Sequence, residues 1–175
     1  MALPPTQQHD LYWAAYFKPA LMMHLLRTEV LGPEVFDRAL AEYTEAWSFK
    51  HPGPADFFRA MEDAAGARLD WFWRGWIETA ARLDHSIETV WPGDPENPPW
   101  VHIRSRGDMI MPVELHFEFV DGSRETVRLP VEMWNLGPDF VYRLPGGKQL
   151  ETARLDPREV YPDDDRTNDA WPSGP

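Results

Sequence analysis

The run YFKPALMMHLLRTEVLG, residues 16–32, decides the fold of the first half of the chain. Together with the residues just before it, it has apolar side chains at spacings of three and four, which is typical of a helix with one buried face: Leu11, Ala15, Pro19, Met22, Leu25 or Leu26, and Val30. Pro19 lacks the N–H that a helix interior requires, so the helix either bends there or begins near it. Gly32 suits a left-handed helix cap, and Pro33 suits the first turn of a second helix.

Three more helices are predicted after this run. The second covers about residues 33–47, the third ends at Gly66, and the fourth carries apolar positions at helical spacing: Leu69, Phe72, Trp73, Trp76, Ile77 and Ala80. The links between these helices are short, so neighbouring helices are expected to pack antiparallel. The first half therefore predicts an antiparallel bundle of about four helices.

The second half has a period of two. Val113, Leu115, Phe117 and Phe119 alternate with polar residues, which indicates a strand with one buried face. Asp121-Gly122 is a hairpin signal, and the return strand is expected to alternate as far as Met133, with an edge or bulge at Pro130. Other strands are predicted within residues 87–91, 100–105, 140–143 and 148–155. The sequence thus predicts an α+β protein, with a helical domain at 1–86 and a β-sandwich-like domain at 87–175 whose acidic end, 165–175, is weakly ordered.

Composition narrows the class of protein. The 175 residues include 29 acidic and 17 basic side chains, a formal charge of −12, which argues against nucleic acid and anionic membrane surfaces as partners. Nine tryptophans and 43% hydrophobic residues are enough apolar surface for a folded core. There is no cysteine, which excludes disulfides and cysteine zinc sites.

Targeting signals are not evident. No apolar stretch has membrane-spanning length, and the first ten residues lack the basic and apolar regions of a signal peptide. The sequence therefore assigns no compartment, and a signal of an exported parent protein would have to lie upstream.

The order of several weak motifs resembles one enzyme family. Three pieces of the first half carry the resemblance: the Tyr-x-Lys at residues 16–18, the block KHPGPADFF at 50–58, and the Gly-x-x-Leu spacing that leads from Gly66 to Trp76. They resemble the segment after the zinc motif in aminopeptidase N-like zinc metallopeptidases, the gluzincins. Pieces of the second half, such as LPVEMW at 129–134, resemble the β module that follows in a bacterial branch of that family. Relatives of this branch are often exported.

The resemblance implies a role for Tyr16 but no metal ligand in this chain. Family members carry a His-Glu-x-x-His helix, and no two histidines here have that spacing: His9, His24, His51, His85, His102 and His116. Tyr16 matches the family's catalytic tyrosine, whose phenol donates a hydrogen bond to the oxyanion that forms on the peptide carbonyl. The alternative for Tyr16 is a packed tyrosine with its hydroxyl at the rim of the bundle.

The implied protein is the C-terminal part of a zinc aminopeptidase, inactive alone. Its partners would be the zinc-bearing N-terminal part and a peptide substrate. Tyr12, one turn before Tyr16, either lines the same pocket or packs, and Lys18 either pairs with a carboxylate of the zinc-bearing part or is solvated. An apolar patch around Tyr12, Tyr16 and Met23 is expected, through which the chain would self-associate.

Other features leave alternatives open. The chain could be a non-catalytic binding or scaffolding module, and exposure of Trp91, Trp100 and Trp134 would favour a carbohydrate or peptide ligand. The tryptophans of residues 71–76 are expected to pack in the core. The acidic run 163–169 resembles half of a calcium loop but lacks its glycine and final glutamate, so a solvated turn is the preferred interpretation.

Overall fold

The computed structural model describes residues 12–172, and of Trp13 and Ala14 it describes only the backbone. Residues 1–11 and 173–175 lie outside the described residues. The first range includes the segment that lacks a signal-peptide pattern and the apolar position Leu11. The chain divides into two compact units between Ala80 and Ala81. The assignment of residues 1–86 to a catalytic part and of 87–175 to a β module stays a prediction.

Helices make up the first unit. A π-helical turn at Trp13–Phe17 leads into α1 (Lys18–Leu25), which is followed by a second π-helical turn at Leu26–Val30. The remaining elements of the unit are α2 (Pro33–Trp47), α3 (Pro54–Ala65), α4 (Asp70–Trp73) and a third π-helical turn (Arg74–Glu78). Pro19 is the second residue of α1, but the π-helical turn runs directly into α1 and Phe17 has helical backbone angles, so the structure does not favour a helix that begins at this proline.

Glycines stand at two helix boundaries, and only Gly66 is the left-handed cap that the sequence predicts, since Gly32 has a ψ of 151° and is the N-cap of α2. Gly32, with φ of +80°, precedes α2, and Gly66, with φ of +63°, ends α3 in the left-handed region. A side chain at either position would strain the backbone, because L-residues seldom adopt these angles. The helix boundaries predicted at 33–47 and before Gly66 are confirmed.

The predicted fold class is wrong in its architecture, although the chain is mixed α and β. α1 has 8 residues and α4 only 4, and π-helical turns adjoin both. Within the described residues, only α2 and α3 are long enough to pack along each other over several turns. The first unit is therefore a set of short helical segments and not an N-terminal four-helix bundle.

Two antiparallel sheets form the second unit. Their strands are β1 (His85–Trp91), β2 (Trp100–Ser105), β3 (Val113–Phe119), β4 (Arg124–Leu129), β5 (Asp139–Arg143), β6 (Leu150–Leu155) and β7 (Ala170–Trp171). One sheet has the order β1-β2-β5 and the other the order β4-β3-β6-β7. The unit is thus a three-stranded and a four-stranded sheet, in place of the sandwich that the sequence predicts.

The core of the second unit comes from the alternating strand positions. Leu115 and Phe117 on β3 are fully buried, and they belong to one hydrophobic cluster with Val101 and Ile103 of β2 and with Ala153 and Leu155 of β6. This confirms the buried face that the alternation in β3 predicts.

Two local predictions in this unit are wrong. The return strand stops at Leu129, and residues Val131–Leu136 form a 3₁₀ helix, because the chain turns at Pro130, which cannot donate to a sheet ladder. The acidic end is ordered as far as it is described: Arg166–Asn168 form a 3₁₀ turn, and β7 pairs with β6.

Candidate functional site

Tyr16 lies in the π-helical turn that immediately precedes α1. Its side chain is 64% exposed, so the packed-core alternative for this residue does not describe its position. A phenol in this state can donate a hydrogen bond from its O–H and accept others, and it is available to a group brought against the helix.

Tyr16 belongs to an exposed cluster of three aromatic residues, with Tyr12 and Phe17. The ring centroids of Tyr12 and Tyr16 are 4.9 Å apart with the planes tilted by 35°, and the ring of Phe17 lies 5.8 Å from that of Tyr12. Tyr12 is 67% and Phe17 52% exposed. Aromatic pairs at these distances attract weakly, so Tyr12 restricts the positions open to the Tyr16 ring. The roles of Tyr12 and Tyr16 in catalysis stay predictions.

Lys18 and Met23 differ from the exposed cluster. Both side chains are partly buried. Burial lowers the pKa of the Lys18 amine below its ordinary value, because the charged form loses hydration. The expected apolar patch therefore consists of Tyr12, Tyr16 and Phe17, without a fully exposed Met23.

The described residues do not fit a zinc site. Between residues 12 and 172, no group of three or more His, Cys, Asp or Glu side chains is placed to hold a metal ion. Two of the histidines that the structure describes contact side-chain oxygens singly: His102 Nε2 lies 2.9 Å from Asp139, and His116 Nδ1 lies 3.0 Å from the Thr126 hydroxyl.

The tryptophans divide between core and surface. Trp73 and Trp76 are buried, and Trp73 stacks on Phe58 with ring centroids 4.4 Å apart. The predicted core packing is therefore confirmed for Trp73 and Trp76. In the second unit Trp134 is buried and donates to Met111 O at 3.0 Å. Trp91 is exposed and Trp100 is partly exposed, and the two are paired across β1 and β2. A carbohydrate or peptide ligand for them stays a prediction.

The acidic run 163–169 is engaged by protein groups. Asp163 accepts the N–H groups of His85 and Asp165, at 2.8 and 2.9 Å, and Arg166 lies 3.0 Å from both Asp156 and Asp169. The expected solvated turn is only partly present, since Asp164 and Thr167 are exposed whereas Asp169 is buried. The carboxylates hold the segment against the start of β1.

Burial shifts the acid–base behaviour of this same region. It raises the pKa of Asp163, raises that of Asp169 to about 6, and lowers that of His85 to about 3. Sequence reasoning missed this polar cluster because its members come from distant parts of the chain. Only the density of aspartates after Pro162 gave a signal, and it was interpreted as a solvated turn.

Comparison with known proteins shows a fold relationship with a solved structure. No protein-family profile matches the sequence, and no curated protein matches it. Among solved structures, the chain is similar to aminopeptidase A of Legionella pneumophila, determined in complex with aspartic acid, with a TM-score of 0.57 and 16% identity. The match covers 83% of this chain and 17% of the aminopeptidase chain. The chain's fold thus resembles part of an aminopeptidase, about a sixth of its length.

No helix in the described part of the chain is both long and apolar enough to cross a membrane.

Proposed function

We propose that this chain is the C-terminal portion of a zinc-dependent aminopeptidase, in which it supplies Tyr16 and one wall of the substrate cleft. The observation that carries the proposal is the fold similarity to part of an aminopeptidase, found for a chain whose motif order resembles the same class of enzyme. The zinc-bearing N-terminal part of that enzyme would be its partner and a peptide its substrate.

Tyr16 is the residue of this chain that would act on the substrate. During peptide hydrolysis the carbonyl oxygen becomes an oxyanion, and a phenol O–H directed at it stabilises this charge more than it stabilises the neutral carbonyl. The exposed position of Tyr16 at the start of α1 is compatible with this role. Tyr12 and Phe17 would form the apolar surroundings of the phenol.

The test is Tyr16→Phe in the whole enzyme that contains this chain, assayed on aminoacyl-anilide substrates. We expect kcat to fall about 100-fold or more with little change in KM, because the lost hydrogen bond forms mainly in the transition state. Tyr43→Phe is the matched control, since Tyr43 packs by its ring edge against Phe57 in the helical unit. An unchanged kcat in the Tyr16 variant removes this residue from the site.

Two further observations test whether this chain is the C-terminal portion of a zinc-dependent aminopeptidase. This chain alone, supplied with zinc, should not hydrolyse the substrates, and efficient turnover would contradict the proposal. The reading frame that precedes the chain in its gene should encode a His-Glu-x-x-His motif. A frame without that motif would favour the non-catalytic binding or scaffolding module.

A further inference from the structure

A cross-strand row of side chains crosses the outer face of the four-stranded sheet. Thr126 on β4 is paired with His116 on β3, His116 with Arg154 on β6, and Arg154 with Ala170 on β7. Paired residues in antiparallel strands project to the same side, and the neighbouring Leu115, Phe117, Ala153 and Leu155 point into the core. The row therefore lies on the face of the sheet away from the core.

The glutamates on either side of His116 on β3 each have an arginine partner. Glu114 lies 2.7 Å from Arg128 and 3.2 Å from Arg158, and Glu118 lies 2.8 Å from Arg124. Arg154 differs, because it is exposed and has neither an ion pair nor a side-chain hydrogen bond within the described residues. In a chain with 29 acidic and 17 basic side chains, a strand arginine without a carboxylate partner is a candidate site for an external anion.

A groove lies directly over this arginine. It has a volume of about 330 Å³, with His116, Thr152 and Arg154 among its lining residues and Pro157, Trp171 and Pro172 as its apolar part. Ala170, which follows Arg154 in the row, has a side chain too small to fill it. A second groove of about 300 Å³ adjoins the first and shares Arg154, Pro157 and Ala170 with it. The guanidinium thus stands where two grooves meet.

The surrounding charges limit what this groove can accept. Glu118 lines it, with Oε1 3.9 Å from His116 Nε2, and Glu159 lines the adjoining groove. A doubly charged anion would be repelled by these carboxylates, whereas a single carboxylate can be held by the two parallel N–H groups of a guanidinium. The volume is that of a small ligand and not of a folded partner.

We propose that this groove, formed around Arg154, His116, Pro157, Trp171 and Pro172, binds a small monocarboxylate of amino-acid or dipeptide size. The Arg154 guanidinium holds the carboxylate, Thr152 and His116 offer polar contacts beside it, and the prolines and Trp171 contact the apolar part. The site belongs to the second unit alone and does not depend on the proposed peptidase role.

The experiment is an NMR titration of the chain with N-acetylalanine, using N-acetylalaninamide as the neutral isostere. We expect amide shifts at residues 116, 152–154 and 170–172 with a dissociation constant on the order of millimolar for the acid. The amide should bind at least about tenfold more weakly. Equal binding of the acid and the amide, or shifts away from these residues, would overturn the proposal.

Two variants test whether the Arg154 guanidinium holds the carboxylate. Arg154→Gln should weaken the binding of N-acetylalanine at least about tenfold, and Arg154→Lys should weaken it less, because it keeps the charge but loses the paired N–H geometry. The matched control is Arg143→Gln on β5, another exposed strand arginine for which the structure shows no ion pair. An equal loss in the Arg154 and Arg143 variants would mean that general charge attraction accounts for binding, which contradicts a specific site.

A titration with inorganic phosphate tests whether the groove prefers a carboxylate to a phosphate. We expect phosphate at the same concentration to shift these amides less than N-acetylalanine does, because Glu118 and Glu159 oppose its second charge. Phosphate binding as tight as that of the carboxylate would overturn the assignment to monocarboxylates.

Discussion

At the scale of the single residue, Glu62 connects two segments of the helical unit. Its Oε1 accepts the backbone N–H of Leu69 at 3.0 Å and the indole N–H of Trp73 at 3.2 Å. Both Leu69 and Trp73 are buried, so neither donor can turn to water if the carboxylate is removed. Glu62 therefore fixes the link between α3 and α4.

Glu62→Ala is expected to lower the free energy of unfolding by about 1–3 kcal/mol, the cost of leaving buried donors unpaired. Glu62→Gln keeps an acceptor oxygen and should cost less, and Glu45→Ala, on the exposed face of α2, should change little. Urea unfolding followed by tryptophan fluorescence measures the three differences. A Glu62→Ala chain as stable as the parent would show that water replaces the carboxylate.

Buried titratable residues give a second prediction at this scale. The pKa of Asp169 is raised to about 6, mainly by burial, from its ordinary 3.8, so the folded chain binds a proton there before the unfolded chain does. This residue therefore adds stability as the pH falls through 6. His85 has the opposite effect: burial lowers its pKa from 6.5 to about 3, so the unfolded chain binds the proton first and stability is lost on acidification.

Replacing Asp169 should expose the His85 contribution. In Asp169→Asn, the free energy of unfolding is expected to fall more steeply between pH 6.5 and 4 than it does in the parent chain. Urea titrations at intervals of half a pH unit measure the slope, with Glu151→Gln, an exposed residue of β6, as the control. A slope that does not change would mean that Asp169 does not titrate in this range.

At the scale of the element, the segment between β2 and β3 runs against the start of the second unit. A Cβ at Gly107 would lie 2.1 Å from the carbonyl oxygen of Arg82 and 3.0 Å from the N–H nitrogen of Asp84. These are backbone atoms, and Met109 N also donates to Arg82 O at 3.0 Å, so they cannot move without breaking the pairing of the two segments. Only glycine fits at this approach.

Gly107→Ala is expected to destabilise the second unit by about 1–3 kcal/mol or more, because the methyl group overpacks against backbone. Gly146→Ala is the matched control, since its new Cβ would meet nothing closer than 3.8 Å and its φ is unstrained. Thermal unfolding monitored by circular dichroism compares them. Equal melting temperatures would show that the segment shifts without cost.

Elements were predicted with uneven success, and particular residues explain why. Alternation placed β3, and glycine with proline placed the start of α2, because these signals depend on neighbours in the chain. The 3₁₀ helix after Pro130 continues an alternating pattern, VEMW, that reads equally well as a strand. The 3₁₀ helix is favoured over a strand by the loss of a donor at Pro130 and by the burial of Trp134. That burial depends on Met111, a residue far away in sequence.

At the scale of the whole molecule, the second unit has its own hydrophobic core. All thirteen buried residues of the main cluster lie between Val101 and Leu155. A segment with its own core is expected to fold alone. We therefore expect residues 81–175, produced separately, to give amide NMR shifts that match those of the same residues in the full chain. A collapsed spectrum would contradict this, and preserved shifts would allow the carboxylate titration to be repeated on the shorter chain.

The sequence was sufficient for features that depend on local order: the helical first half, most strands of the second half, and the cap at Gly66. Folding in three dimensions was needed for the division into separate sheets, for the burial of His85 beside Asp163, and for the position of Arg154 where two grooves meet. These features require residues tens of positions apart to meet, and periodicity along the chain carries no information about which distant strands become neighbours.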